Sequence, residues 1–179
     1  PKLLLYALKA VDYNQSGSIV CSQPRQIPTK NNAERISKEL GVSLKKGFKI
    51  VQYKYKGKSI TDNVKRLNLR FVTDGLLNNE INNPLLTNIT ENNEFSTNNK
   101  YDIVIIDEAH EHNIYIDMLL TQMKYCTYYN NSIKLVIISA TIDVDEPMYR
   151  RFYRNINDNK MFPLNQFIKE NKIDRINVD

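Results

Sequence analysis

Two carboxylates side by side at the end of an apolar run are the first residues of this chain able to do chemistry. Residues 101–106 are almost wholly apolar and run directly into Asp107-Glu108-Ala109-His110. If that run is a buried strand, the pair stands beyond its carboxyl end, where parallel α/β sheets hold their ligands. One carboxylate can then hold the hydration shell of a Mg²⁺ ion while its neighbour orients or deprotonates an attacking water, the arrangement a nucleotide hydrolase needs. An Asp-Glu pair alone is equally at home as strand-end polar surface, so the rest of the chain has to decide. A second apolar run, residues 133–138, ends in Ser139-Ala140-Thr141, whose hydroxyls can hydrogen-bond to the acidic strand end and pass its state to a bound partner. Residues 18–22 lead into Gln23-Pro24-Arg25, and residues 69–72 into Thr73-Asp74-Gly75. Four strands each end in a compact polar signature, and all four would share one rim.

Positioning those residues takes an α/β domain with a mostly parallel sheet. Residues 101–106 and 133–139 are of the type buried on both faces of such a sheet. Residues 48–55 alternate apolar and polar and predict a half-exposed strand. Helical spacing occurs over residues 2–13, 29–40 and 114–125, and a helix is expected from about Asp74. Thr29 is the expected cap of the second helix and Gly41 its stop. Residues 78–100 are Asn-rich with Pro84 and read as a loop or insertion.

Composition sets outer bounds. The 179 residues suit about one domain, and 41% hydrophobic with 25% charged residues is an ordinary globular balance. No apolar run approaches the ~20 residues of a membrane span, and no leader pattern precedes a cleavage site. Two cysteines make no disulfide framework, so a protein that is not secreted and contacts no membrane is expected. The net charge of +5 is a sum of unlike parts. Residues 24–70 hold thirteen Lys and Arg against three acids, a net +10, whereas residues 74–146 hold three Lys against twelve acids, a net −9. The basic part suits a polyanion and the acidic part a divalent cation, although both patterns also describe solvated faces.

Taken in order, Ser22-Gln23-Pro24-Arg25, Thr73-Asp74-Gly75-Leu76-Leu77, Asp107-Glu108-Ala109-His110 and Ser139-Ala140-Thr141 resemble motifs Ia, Ic, II and III of the DEAH/DExH-box superfamily 2 helicases. The resemblance spans about residues 18–145. Glu111-His112 and the stretch Asp145 to Tyr153 look like the viral branch of the family, the nucleoside triphosphatase RNA helicases of poxviruses and other large DNA viruses.

The resemblance implies a RecA-like α/β fold and an NTP-dependent RNA helicase using ATP or another NTP with Mg²⁺. Asp107 and Glu108 would serve the metal and the attacking water, with Glu108 the general base. His110, Ser139 and Thr141 would couple nucleotide state to nucleic-acid grip. Arg25 and Thr73 would touch the backbone of single-stranded or duplex RNA, with DNA also open. Gln23 and Asp74 would shape those contact loops. Phosphate contacts carry no base information, so binding should be sequence-tolerant and salt-sensitive. The implied location is the cytoplasm, the virion or a viral factory.

The chain departs from that pattern in one respect. A phosphate-cradling loop of the form GxxxxGK[ST] is needed, and Gly57-Lys58-Ser59 resembles only its tail, because Gln52 stands where the first glycine belongs. The expectation is therefore a partial first RecA-like lobe over residues 1–179, cut at both ends, without the phosphate-loop strand and without the second lobe in cis. On this reading the piece hydrolyses nothing by itself. Two rival readings stand beside it. One is a zinc site using His110 and His112, which would share a face if they lay on a strand. The other is a non-catalytic nucleic-acid-binding module built on the basic segment.

Overall fold

A computed structural model of the chain describes residues 17–44, 49–62, 67–81, 99–129, 133–154 and 156. The expected helix over residues 2–13 and most of the Asn-rich stretch over residues 78–100 lie outside the described residues.

Six strands form one sheet: β1 (Ser18–Gln23), β2 (Val51–Tyr55), β3 (Lys58–Ile60), β4 (Asn68–Thr73), β5 (Ile103–Ile106) and β6 (Lys134–Ile137). Their spatial order is β3-β2-β4-β1-β5-β6. All neighbours pair in parallel except β2 with β3. Among the described residues four helices flank the sheet: α1 (Gln26–Leu40), α2 (Asp74–Ile81), α3 (Ile114–Tyr129) and α4 (Ile142–Phe152).

The two-residue period of the strands divides the core between the faces of the sheet. Ile19, Cys21, Leu69, Phe71, Ile103 and Ile105 point to one side and pack with Ala33 of α1. Val20, Val72, Val104 and Ile106 point to the other and meet Leu77 of α2, Leu119 and Met123 of α3, and Tyr149 of α4. This two-sided burial is why β5 is apolar at every position and β1 at its centre, Ile19-Val20-Cys21.

Several expectations shift at the edges. α1 begins at Gln26, after an extended Arg25 that makes no side-chain cap. Thr29 is therefore not the cap; its hydroxyl donates back to the Arg25 carbonyl at 2.7 Å from inside the first turn. Gly41 stops the helix as expected, at φ 65° with its N–H on the Lys38 carbonyl. β2 is shorter than the alternating run, and Val51, Gln52 and Tyr53 are all buried: Val51 and Tyr53 belong to the core on the α1 side, and Gln52 donates to the Lys49 carbonyl and accepts from Arg70. α2 runs on to Ile81, into the stretch expected as loop. Gly57-Lys58-Ser59 belongs to a hairpin: Lys56 and Gly57 turn the chain, Gly57 takes φ 84°, and Tyr55 pairs with Lys58. Lys58 is exposed on the short outermost strand of the sheet.

Candidate functional site at the carboxyl rim of the sheet

The register brings the strand-end residues together. Gln23 of β1 lies opposite Thr73 of β4, Ser22 opposite Ile106, and Ile106 opposite Ile137. Asp107 therefore leaves β5 between the ends of β1 and β6. Gln23 is buried, and its Nε2 donates to Asp107 Oδ2 at 2.6 Å. The other oxygen, Oδ1, accepts the backbone N–H of Glu108 at 3.0 Å. Both oxygens of this carboxylate are thus held in place, while the Glu108 side chain is 47% exposed and faces outward.

That outward aim comes from an unusual backbone. Glu108 at φ 55° and His112 at φ 44° take left-handed conformations on either side of a single 3₁₀ turn, Ala109–Glu111. For non-glycine residues such conformations cost on the order of 1 kcal/mol each and persist only where neighbours over-determine them. Here Ala109 is fully buried and donates its N–H to the Ile138 carbonyl at 3.0 Å, which nails the turn to the end of β6.

His110 forms the second tie. Its Nδ1 accepts the N–H of Ala140 at 3.3 Å, which puts the ring proton on Nε2, and Nε2 lies 3.5 Å from Glu108 Oε2. One imidazole thus touches both the outward carboxylate and the 139–141 segment. Within that segment the Thr141 N–H donates to Ser139 Oγ at 3.3 Å, and Thr141 Oγ1 donates to Asp145 Oδ2 at 3.3 Å. Asp145 Oδ1 stands 3.7 Å from His112 Nε2. The two imidazoles do not lie on a strand; they serve different partners, one at Ala140 and one at Asp145. Among the described residues no group of three or more His, Cys, Asp or Glu is arranged to hold a metal ion.

Arg25 is 74% exposed just beyond β1, and its Nη2 meets Glu111 Oε1 at 3.3 Å. Gln23 and Asp74 are each only 2% exposed. Their positions support shaping of the rim rather than contact with a ligand. Asp74 opens α2 and accepts the Asn113 amide on Oδ2 at 3.3 Å. Burial lifts this carboxyl above the usual carboxylate range; the Asn113 amide and Ser22 hydroxyl oppose the rise, and the charges of Glu111 and Asp107 add to it. Asn113 was not singled out in the sequence. Its Oδ1 accepts the N–H groups of Tyr115 and Ile116 at 3.0 Å each, so it caps α3 while its amide reaches α2. An Asn just ahead of a helical pattern was the available signal.

The basic segment is less of a common face than its count implies. Lys30 pairs with Glu34, Arg35 with Glu39 and Lys54 with Glu80. Arg70 turns inward to Gln52 Oε1, at 3.0 and 2.8 Å, and to the Tyr101 hydroxyl at 3.3 Å. The free, buried Cys21 has its thiol pushed up to about 12, by burial first and then by the Asp107 charge, and stays a neutral thiol.

Comparison with known proteins gives a consistent set of relatives. A putative ATP-dependent RNA helicase of Acanthamoeba polyphaga mimivirus is 47% identical over an alignment covering 100% of this chain and 12% of that protein. The ATP-dependent RNA helicase HrpA of Borreliella burgdorferi is 31% identical over 78% of the chain and 15% of its own length. A probable ATP-dependent RNA helicase of Caenorhabditis elegans is 32% identical over 86% of the chain and 18% of its own length. The chain thus spans less than a fifth of the length of each of these relatives. No family model matches the chain.

Proposed function

The chain belongs to the DEAH/DExH-box family of superfamily 2 helicases, and from that premise we propose that it is the water-side and nucleic-acid-facing part of the first RecA-like lobe of an ATP-dependent RNA helicase. The observation that carries this reading is the rim itself. Asp107 is clamped by Gln23, Glu108 is turned outward, and His110 bridges Glu108 to the backbone of Ala140.

The donor chemistry fits the implied metal. Carboxylate oxygens are hard ligands, and Mg²⁺ takes one or two of them while keeping several waters, so a cluster of three or more protein ligands is not required. Mg²⁺ bound with ATP would neutralise charge on the phosphates. Asp107 would hold the metal's water shell, its orientation fixed by Gln23 and by the Glu108 N–H. Glu108, exposed to solvent and 3.5 Å from His110, would orient the attacking water and take its proton. His110 would report the state of Glu108 to Ser139-Ala140-Thr141. Arg25 and Thr73, neighbours on the rim, would hold backbone phosphates of RNA without reading its bases.

No GxxxxGK[ST] stretch occurs in the 179 residues, so the phosphate cradle and the second lobe would come from chain outside them. The chain alone should therefore turn over no ATP. The names of its mimivirus and cellular relatives support ATP as the nucleotide and RNA as the strand, and the mimivirus match supports a viral setting in cytoplasm or factory. No described helix is long and apolar enough to cross a membrane. The test is RNA-stimulated ATP hydrolysis by the full-length protein. Glu108→Gln should reduce turnover by at least a hundredfold with ATP binding kept, and full turnover by that variant sinks the assignment.

A further inference from the structure

The Gln23-Pro24-Arg25 loop is tied to the acidic box twice, at Gln23 with Asp107 and at Arg25 with Glu111, and the two ties differ in kind. The first is part-buried and short, at 2.6 Å. The second is exposed, 3.3 Å long, and joins the side chain proposed for phosphate contact to the last residue of the strained 3₁₀ turn, 86 positions away. Arg25 cannot serve a phosphate bidentately and keep Glu111 in full, because its guanidinium presents one fork of donors.

We infer that Glu111 is an internal competitor for the nucleic-acid phosphate: it holds Arg25 when the rim is empty and is released when a backbone phosphate takes the guanidinium. The inference rests on the reading of Arg25 as a phosphate contact. A carboxylate and a phosphate oxygen ask for the same donors, so the exchange swaps one charge-assisted contact for another. The magnitude suits an exchange. Exposed ion pairs are weak, and displacing one lowers affinity by only about two- to five-fold. A buried pair in the same place would block binding outright. The exchange has a direction as well. Glu111 follows His110 directly, and its release removes one of the restraints on a turn that carries Glu108 and His110 in place. Nucleic-acid occupancy at Arg25 thereby reaches the acidic box without any contact between nucleic acid and the box itself.

The experiment is a double-mutant cycle on the full-length protein, read by fluorescence anisotropy with a labelled single-stranded oligo(U) probe at about 50 mM salt. Arg25→Ala should weaken binding by about three- to ten-fold. Glu111→Gln should tighten it by about two- to five-fold, and the double variant should match Arg25→Ala alone. Equal tightening by Glu111→Gln with and without Arg25 means general relief of negative charge and overturns the competitor role. An unchanged affinity for Glu111→Gln overturns it too. An unchanged affinity for Arg25→Ala, or no binding by the unaltered chain, instead overturns the underlying reading of Arg25. Thermal unfolding of each variant checks the fold, and both side chains lie at the surface, where substitution is tolerated.

Discussion

Gln23 donates its side-chain amide to Asp107 Oδ2 at 2.6 Å, linking the end of β1 to the first residue beyond β5 across 84 positions of sequence. Both residues lie at the rim, yet only one is a carboxylate able to meet a metal shell; the other fixes its rotation. A carboxylate already oriented before its ligand arrives loses less freedom on binding, which is how a buried neighbour contributes without touching substrate.

The first prediction follows directly. Gln23→Met keeps the length and apolar stem of the side chain and removes the amide donor. Hydrogen bonds to charged groups contribute about 1.5–3 kcal/mol, so turnover by the full-length protein should fall by about ten- to a hundredfold. The apparent Mg²⁺ requirement should rise in parallel. Measured melting should stay within a few degrees, because the amide is replaced by a soft side chain of similar volume. Unchanged Mg²⁺ dependence would show that Asp107 does not need this partner.

At His110 the expected effect is on coupling rather than on the fold. The Ala140 N–H that it accepts is exposed and can turn to water when the ring is removed. His110→Ala should therefore cost less than about 1 kcal/mol of stability. RNA stimulation of ATP turnover should be lost while basal turnover survives at a tenth or more. Stimulation retained in full rules out the imidazole as the bridge between Glu108 and the 139–141 segment.

How much of this was legible beforehand differs by element. β5 showed because a strand buried on both faces is apolar at every position, and β1 and β6 showed through their short apolar runs, Ile19-Val20-Cys21 and Leu135-Val136-Ile137. β3 did not, since three residues, Lys58-Ser59-Ile60, carry no period. The start of α1 was misplaced because Arg25, at its N-cap, has no capping side chain, whereas Thr29 is a residue type that caps but lies one turn inside the helix and donates its hydroxyl to the Arg25 carbonyl. Gln23, Arg25, Thr73, Asp74, Asp107, Glu108, His110, Ser139 and Thr141 were visible as residue types beyond strands, whereas Asn113, which ties Asp74 to the start of α3, was not. The pairings were not: Gln23 with Asp107 and Arg25 with Glu111 depend on the order of strands in the sheet, and one sequence holds no signal for that order. Counting charges likewise overstated the basic face, because the partners of Lys54 and Arg70 come from elements outside the counted segment or from buried neutral groups.

Glu80 and Asp74 lie on the same short helix and should respond to pH with opposite signs. For Glu80, burial alone would raise the carboxyl; hydrogen bonds from Lys54 and Tyr101 and the Lys100 charge outweigh it and hold it below its ordinary 4.5. A depressed acid contributes stability above its unfolded-state value and loses that contribution as pH falls through the lower folded value. Glu80→Gln should melt several degrees below the unaltered chain at pH 7, with the gap closing as pH falls below 4.5 and through the lowered folded value. A gap constant over that range would mean the loss is packing rather than charge.

For Asp74 the folded value is raised above 3.8, chiefly by burial. An acid that prefers to stay protonated in the fold costs stability at pH values above its folded value, and the cost disappears as pH falls below the unfolded one. Asp74→Asn can still accept from Asn113 and carries no buried charge. It should melt above the unaltered chain at pH 7 and level with it near pH 3. A destabilised variant at pH 7 would mean that the positive end of α2, where Asp74 sits in the first turn, outweighs the burial of its charge.

The hairpin offers the sharpest control on where the nucleotide's phosphates are held. Lys58 follows a glycine and precedes a serine, as the lysine of a phosphate loop does, but it lies exposed on β3, on the antiparallel edge of the sheet. A phosphate-loop lysine must open a helix behind a buried parallel strand, so that backbone N–H groups converge on the anion. Here the residues after Gly57 are extended, and their N–H groups alternate between the two edges of a strand. Lys58→Ala should accordingly leave ATP binding and turnover of the full-length protein within about twofold. Gly57→Ala should cost about 1 kcal/mol of stability through its φ of 84°, although a Cβ there meets nothing within 4 Å. If instead Lys58→Ala abolished ATP binding while Gly57→Ala left stability untouched, the hairpin would have to be the phosphate site and the assignment of the cradle to chain outside these residues would fail.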